Sequence, residues 1–310
     1  MKKWLNDFWK QRSLQAFALI GMTFIIIFCY LPMFGILMAF KNYNITSGVW
    51  GIITSKWVGL KYFLQFFNDY KFTTLVYNTL IISVTKLLFT FPLPILLALV
   101  LNEVKSKPIK RIVQTTSYLP YFISWVIVSG FCQIFLTQNG VFNELAVNLG
   151  LVSKPIPFLT STQWFLPIAV LSACWKDMGW WAIIFLAAIT GIDPSLYEAA
   201  EIDGASRLGR IRHITLPGIS GTITIVLILA IGNLFGGGLS GSNFEQCWLL
   251  GNPGNNEASE IIQTYVMRVG LANGRYSYAA AAGLLQSVIS VILIYASNTA
   301  SRKVAGQSLF

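Results

Sequence analysis

Six long apolar stretches separated by polar loops dominate the hydrophobic pattern of this chain. They lie at about 16–40, 74–101, 112–136, 164–189, 219–239 and 279–298. A helix needs roughly 20 mainly apolar residues to cross a bilayer, because each residue advances it by only about 1.5 Å. The pattern therefore predicts an all-α polytopic membrane protein with six transmembrane helices, forming a single domain over residues 1–310.

Composition supports the membrane class independently of the pattern. Of the 310 residues, 55% are hydrophobic and only 11% are charged, and the mean hydropathy is +0.63. So little polar surface excludes a soluble domain with one core. The first stretch follows Lys2, Lys3, Lys10 and Arg12, as in a signal peptide. Its apolar run is longer than the usual 7 to 15 residues and no small-residue cleavage site follows, so we expect a retained span.

The distribution of cations predicts the orientation of the chain. About 13 Lys and Arg residues lie in the two tails and in the loops at 102–111 and 190–218, against about 7 in the loops 41–73, 137–163 and 242–278. Because cytoplasmic loops carry the excess of Lys and Arg, both termini and the 190–218 loop are expected in the cytoplasm. The net charge of +10 reflects this topology and attraction to anionic lipid, and nucleic-acid binding is not needed to explain it.

The 190–218 loop carries clear helix boundaries. Asp193-Pro194 predicts a helix start, with the carboxylate as N-cap and proline where no donor is lost. A short helix at 195–203 is expected to end at a left-handed Gly204, and a second helix at 205–213 is expected to close at Pro217. On spacing alone, an ordinary amphipathic loop helix is the alternative.

The same residues resemble the EAA motif of permease subunits of type I ABC importers: Glu-Ala-Ala, a following glycine, and Ile-x-Leu-Pro about ten residues later. The matching positions are Glu198, Ala199, Ala200, Gly204, Ile214, Leu216 and Pro217, with Asp203 giving the form typical of the carbohydrate branch. In that family the segment docks in a groove of a cytoplasmic ATPase. The resemblance implies this role for residues 191–218, called the coupling segment below, and a contact between Glu198 and a basic residue of the ATPase.

The resemblance continues along most of the chain. The strings YLPYFISW at 118–125, FEQ at 244–246, TYVMR at 264–268 and YSY at 276–278 are similar to the branch that imports larger oligosaccharides, such as polygalacturonan or aldouronate fragments. The resemblance implies a bacterial plasma-membrane complex with a second homologous permease, two ATPase subunits and an extracytoplasmic sugar-binding protein. ATP and Mg would then be bound by the ATPase and no cofactor by this chain.

Other chemistry has little support in the sequence. His213 is the single histidine, so no nucleophilic triad is available, and no catalytic or metal site is expected. Cys29, Cys132, Cys174 and Cys247 have no paired spacing. A Walker phosphate loop is absent from the sequence, so the chain is not expected to hydrolyse ATP itself.

Ionisable and aromatic residues inside the predicted spans suggest a substrate route. Lys176 and Asp177 lie among indoles in Cys174-Trp-Lys-Asp-Met-Gly-Trp-Trp181, where a polar break flanked by aromatic faces would suit sugars. The candidate route residues are Tyr121, Trp175, Lys176, Asp177, Trp180 and Asn233. The alternative is structural: Lys176 bonds a carbonyl and the tryptophans form an interfacial belt. Lys86 is expected to snorkel or to line a subunit interface.

Two functions from other classes stay open. An ion-coupled secondary transporter needs intramembrane acids, for which Asp177 is the single candidate, and inverted repeats, which are not detected. Within the ABC class, a permease for amino acids or peptides is the second alternative.

Overall fold

A computed structural model describes residues 11–305, and the cations expected at the cytoplasmic N-terminus, Lys2, Lys3 and Lys10, lie outside them. Within that range the regular structure consists of helices and one antiparallel bridge between Lys41 and Trp57, which confirms the all-α prediction. The α-helices run over Arg12–Ile25, Leu31–Met33, Gly51–Thr54, Lys61–Phe67, Phe72–Thr90, Pro92–Glu103, Lys107–Tyr118, Trp125–Leu136, Val141–Asn148, Thr162–Thr190, Pro194–Ile202, Arg207–Arg210, Leu216–Gly218, Ser220–Gly232, Asn243–Leu250, Asn256–Ser259, Ile262–Met267 and Tyr276–Ala305.

Five helical segments are long and apolar enough to cross a membrane. A sixth is obtained if the pair Arg207–Gly218 and Ser220–Gly232, bent by 62°, counts as one span. The five are Arg12–Phe40, Phe72–Glu103, Trp125–Asn148, Thr162–Thr190 and Tyr276–Lys303. The number agrees approximately with the six predicted spans.

Prolines divide two of the predicted stretches. The second helix is interrupted at Phe91, where Pro92 and Pro94 supply no backbone N–H to the preceding turn. The stretch expected at 112–136 differs more: Lys107–Tyr118 ends at a 3-10 turn over Leu119–Phe122. A new helix begins at Trp125, where the Ser124 hydroxyl caps the N–H of Ile127 at 3.4 Å.

The chain forms two compact units, residues 70–265 with 286–310 and residues 1–69 with 266–285. In the larger unit the helix Thr162–Thr190 passes through the core and buries Ala182, Phe185 and Ile189 against residues of neighbouring helices. Gly179 faces the end of Lys107–Tyr118 so closely that a Cβ would collide with the carbonyl of Ser117. Glycine is therefore what allows these two helices to approach.

In the smaller unit, the loop after the first helix is tied to a second strand-like segment. The N–H of Asn42 donates to the carbonyl of Lys56 at 2.8 Å, and Phe40 stacks on Trp57 at 5.5 Å between ring centroids. The first helix itself, Arg12–Ile25, has no buried residue. Its apolar side chains are exposed on the described chain, as suits a helix surrounded by lipid or by another subunit.

Candidate functional site

The first half of the coupling segment is a capped helix, as the sequence predicts. The side chain of Asp193 accepts a hydrogen bond from the N–H of Ser195 at 2.9 Å, which also lowers the pKa of Asp193. The helix runs over Pro194–Ile202, and Gly204 then adopts a left-handed φ of 76°. The N–H groups of Gly204 and Ala205 bond carbonyls of the last turn, which is the Schellman arrangement.

The second half differs from the prediction at its end. Ser206 caps the turn Arg207–Arg210, a π-helical turn follows over Ile211–Thr215, and helical structure continues through Leu216–Gly218. Pro217 therefore does not close the helix. Proline fits here because it lies in the first turn after the wide π turn, where its missing N–H costs little. The break comes at Ile219 instead, which is buried at 1% exposure.

The outer surface of the coupling segment combines one carboxylate with exposed apolar side chains. Glu198, Ala199, Asp203, Gly204 and Pro217 are exposed, whereas Ala200, Ile214 and Leu216 are partly buried. Around them, Leu196, Ile202 and Leu208 are 51%, 87% and 74% exposed. Clustered large apolar residues on a polar loop are typical of a surface that contacts another protein.

The inner side of the coupling segment is fixed to the rest of its unit. The hydroxyl of Tyr197 lies 2.9 Å from that of Thr215, which is buried, so the two halves of the segment are joined. Glu201 and Arg210 form an ion pair at 3.3 Å across the glycine turn. From Gly218 the chain continues into Ser220–Gly232 after a bend of 62°. A force on the exposed surface would therefore be transmitted to a membrane-length helix as a unit.

Lys176 and Asp177 lie in an unbroken helix, so the predicted polar break is wrong. The i to i−4 bonds of Thr162–Thr190 continue through both residues, and both side chains are buried. The ammonium of Lys176 donates to the carbonyl of Tyr121 at 2.6 Å and lies 5.0 Å from the centre of its ring. The Asp177 carboxylate is 4.0 Å away, and its Oδ2 has no hydrogen-bond partner among the described residues.

Only some of the candidate route residues come together. Trp180 stacks face to face on Tyr121 with centroids 4.4 Å apart, so these two faces cover each other. Trp175, 47% exposed, lines an apolar cavity of about 500 Å³ with Phe131 and Phe135. Asn233 bonds the carbonyl of Gly238 at 3.0 Å. Within the described chain, no hydrogen bond or ring contact joins Trp175 or Asn233 to Lys176.

A polar cluster around Lys86 was not anticipated from the sequence. Lys86 neither snorkels nor reaches a surface of this chain: it is completely buried. Its ammonium donates to the side-chain oxygens of Ser242, Asn243 and Gln246 at 3.0, 2.9 and 2.6 Å. Gln246 in turn donates to the carbonyl of Ala169 at 2.9 Å. The only advance signal was a lysine in an apolar span together with the amide-rich 243–246 segment.

Family comparison decides the class of the protein. Residues 90–305 match the family described as the binding-protein-dependent transport system inner membrane component. The chain belongs to this family. It is thus a multi-pass permease subunit of an ABC importer, a transport component and not an enzyme, as the motif in the coupling segment predicts.

Relatives and solved structures agree with this assignment over almost the whole length of the permease. It is 42% identical to Protein LplB of Bacillus subtilis, over 99% of this chain and 94% of the relative. It is 41% identical to the polygalacturonan/rhamnogalacturonan transport system permease protein YteP of the same organism, over 100% of this chain and 94% of the relative.

The permease is also similar to a chain of a bacterial ABC transporter that imports the acidic polysaccharide alginate. The TM-score is 0.88 and the identity 39%, covering 98% of this chain and 99% of the other. A second structure of a bacterial alginate ABC transporter, in complex with an alginate-pentasaccharide-bound periplasmic protein, gives a TM-score of 0.87 at 38% identity, covering 98% and 99%. The fold is therefore that of an importer permease.

Proposed function

We propose that this permease translocates oligosaccharides delivered by an extracytoplasmic binding protein, and that ATP hydrolysis by a separate ATPase drives it through the coupling segment. A second, homologous permease completes the membrane part, and ATP and Mg are bound by the ATPase. Both termini lie in the cytoplasm, which the excess of Lys and Arg in the tails and in the coupling segment supports.

The exposed surface of the coupling segment carries the proposal for ATPase docking. Ile202 and Leu208 are too exposed for a loop that contacts only water, and Glu198 lies on the same short helix as Ile202. Apolar side chains beside one carboxylate fit a groove with an apolar floor and a basic residue. The bend at Ile219 then passes the motion of the ATPase to Ser220–Gly232.

The choice of oligosaccharide as substrate class is supported by similarity. YteP is named for polygalacturonan and rhamnogalacturonan, and the solved transporter imports alginate. Each covers nearly all of this chain at about 40% identity. The candidate route residues keep a role in this proposal, but Tyr121, Lys176 and Trp180 act by shaping the wall, because their polar atoms and faces already have partners.

A charge reversal at Glu198 tests the docking surface. We expect Glu198→Lys to insert normally in the membrane but to retain at least about tenfold less ATPase on purification in mild detergent, since about 1.4 kcal/mol of binding free energy corresponds to tenfold. A lysine there would face the basic partner of the ATPase groove. The measurement is the ATPase-to-permease ratio by quantitative mass spectrometry, together with sugar uptake.

The matched control is Glu144→Lys, which reverses an exposed charge on the short helix Val141–Asn148 of another loop. It should retain the ATPase as the wild type does. Normal ATPase recovery and normal uptake in Glu198→Lys would remove the coupling segment from the account.

A further inference from the structure

A small polar pocket lies within the smaller unit, away from the residues considered so far. Its volume is about 190 Å³, below the roughly 300 to 1,000 Å³ of sites for drug-sized ligands. It therefore has room for one sugar unit and not for an oligomer. The lining residues are Asn42, Tyr43, Tyr62, Arg275, Tyr276 and Tyr278, with Gly274 and Ser277 between them.

The backbone of the pocket is held from two sides. Ser277 accepts a hydrogen bond from the N–H of Tyr43 at 3.0 Å and donates to the carbonyl of Lys41 at 2.7 Å. Tyr278, almost completely buried, donates to the carboxylate of Asp69 at 2.6 Å. The two loops that form the pocket, separated by more than 230 positions in sequence, are thus fixed before any ligand arrives.

The functional groups at the mouth are a fixed cation and free hydroxyls. The guanidinium of Arg275 lies over the ring of Tyr278 at 4.3 Å, which fixes its direction while the residue stays exposed. Within residues 11–305, Arg275 has no carboxylate within ion-pair distance. The hydroxyls of Tyr43 and Tyr276 make no hydrogen bond in the same range, and their rings meet edge to face at 6.1 Å.

We propose that this pocket binds one carboxylate-bearing sugar unit, a uronate, of an incoming oligosaccharide. Arg275 pairs with the carboxylate through its two parallel N–H groups, tyrosine rings contact the apolar C–H face of the sugar, and Tyr hydroxyls with Asn42 bond its hydroxyls. This inference rests on the proposed function, because the orientation given there puts loops 41–73 and 242–278 outside the cell.

A uronate is favoured over a neutral sugar because the cation is otherwise unpaired. A neutral pyranose would leave Arg275 facing only water and ring atoms, whereas a carboxylate gains a charge-assisted pair. An acidic side chain of the binding protein would satisfy Arg275 too, but it would leave three tyrosines and an asparagine around the cavity without a role. The ring-and-amide lining therefore favours a sugar.

The test is a binding titration on the complete transporter in nanodiscs, without the binding protein. The probes are trigalacturonate and the neutral galactotriose, followed by saturation-transfer NMR. We expect the wild type to prefer trigalacturonate, with an affinity that falls as salt rises. Arg275→Gln should weaken trigalacturonate about tenfold and leave galactotriose unchanged, and Arg275→Lys should recover part of the loss because it keeps the charge without the fork.

Lys56→Gln is the matched control, an exposed cation of the same unit outside the pocket, and it should bind as the wild type does. Equal affinity of the wild type for both probes, or full trigalacturonate binding by Arg275→Gln, would overturn the proposal. Loss of binding-protein capture in Arg275→Gln, with trigalacturonate binding intact, would assign the pocket to a protein side chain instead. Each of these results leaves the proposed function standing, which fails only if the wild-type transporter takes up no oligosaccharide.

Discussion

Two buried lysines in the larger unit differ in what satisfies their charge. Lys86 reaches three side-chain oxygens from the 242–246 segment, whereas Lys176 bonds one backbone carbonyl and lies between the rings of Tyr121 and Trp125. An ammonium inside an apolar span is costly unless such partners surround it. Lys86 therefore fixes the position of a segment distant in sequence, and Lys176 fixes the turn at Tyr121.

Replacing Lys86 by methionine keeps the length of the side chain and removes its three donated bonds. The oxygens of Ser242, Asn243 and Gln246 lose their shared donor, and each buried group left unpaired costs about 1–3 kcal/mol. We expect Lys86→Met to lower the thermal midpoint of the purified permease by several degrees, measured by fluorescence in mild detergent. Lys105→Met, at an exposed position, is the control, and equal midpoints for the two variants would contradict this role of Lys86.

Sequence reasoning identified both lysines as unusual but gave only Lys176 its kind of partner. A carbonyl was one of the alternatives for Lys176. For Lys86 the partners lie 156 to 160 positions away. No periodicity or spacing links positions that far apart, because the link depends on which helices pack together.

At the scale of elements, the coupling segment was the part best predicted from sequence. Its signals are local: Asp193 caps, Pro194 starts and Gly204 ends the first helix within a dozen residues. The end of the second helix was wrong because a π-helical turn at Ile211–Thr215 shifts the register, so Pro217 is tolerated. Such a turn is stabilised by packing of Thr215 and Ile219 in the core and leaves no simple mark in sequence.

The close contact between Thr162–Thr190 and Lys107–Tyr118 gives a prediction for two helices. A methyl group at position 179 has no room beside the Ser117 carbonyl, which belongs to backbone and cannot turn away. We expect Gly179→Ala to destabilise the permease by about 1–3 kcal/mol, the usual cost of overpacking. The check is thermal unfolding followed through tryptophan fluorescence.

Gly130→Ala is a suitable control because it lies inside the helix Trp125–Leu136 with open space where the methyl would be. It should be neutral or slightly stabilising, since alanine favours a helix over glycine by about 1 kcal/mol. A Gly179→Ala protein as stable as Gly130→Ala would mean that the two helices are not held at this distance.

On the scale of the whole molecule, hydropathy predicted the all-α membrane class and approximately the number of spans. The division at Leu119–Phe122 and the bend at Ile219 were missed, because apolar composition continues across both. The prediction of a single domain is not tested by the helices alone. Motif resemblance, in contrast, indicated the family directly, since seven residues of the coupling segment match a pattern tied to one mechanism.

The central claim is that this permease works in an importer driven by ATP. The most direct measurement is uptake of a labelled oligogalacturonide into proteoliposomes that contain the reconstituted transporter, with binding protein and ATP supplied on their respective sides. The account predicts uptake only when the ATPase, its nucleotide and the binding protein are all present, and none with an ion gradient alone. Uptake driven by an ion gradient without ATPase, or uptake restricted to amino acids or peptides, would contradict it.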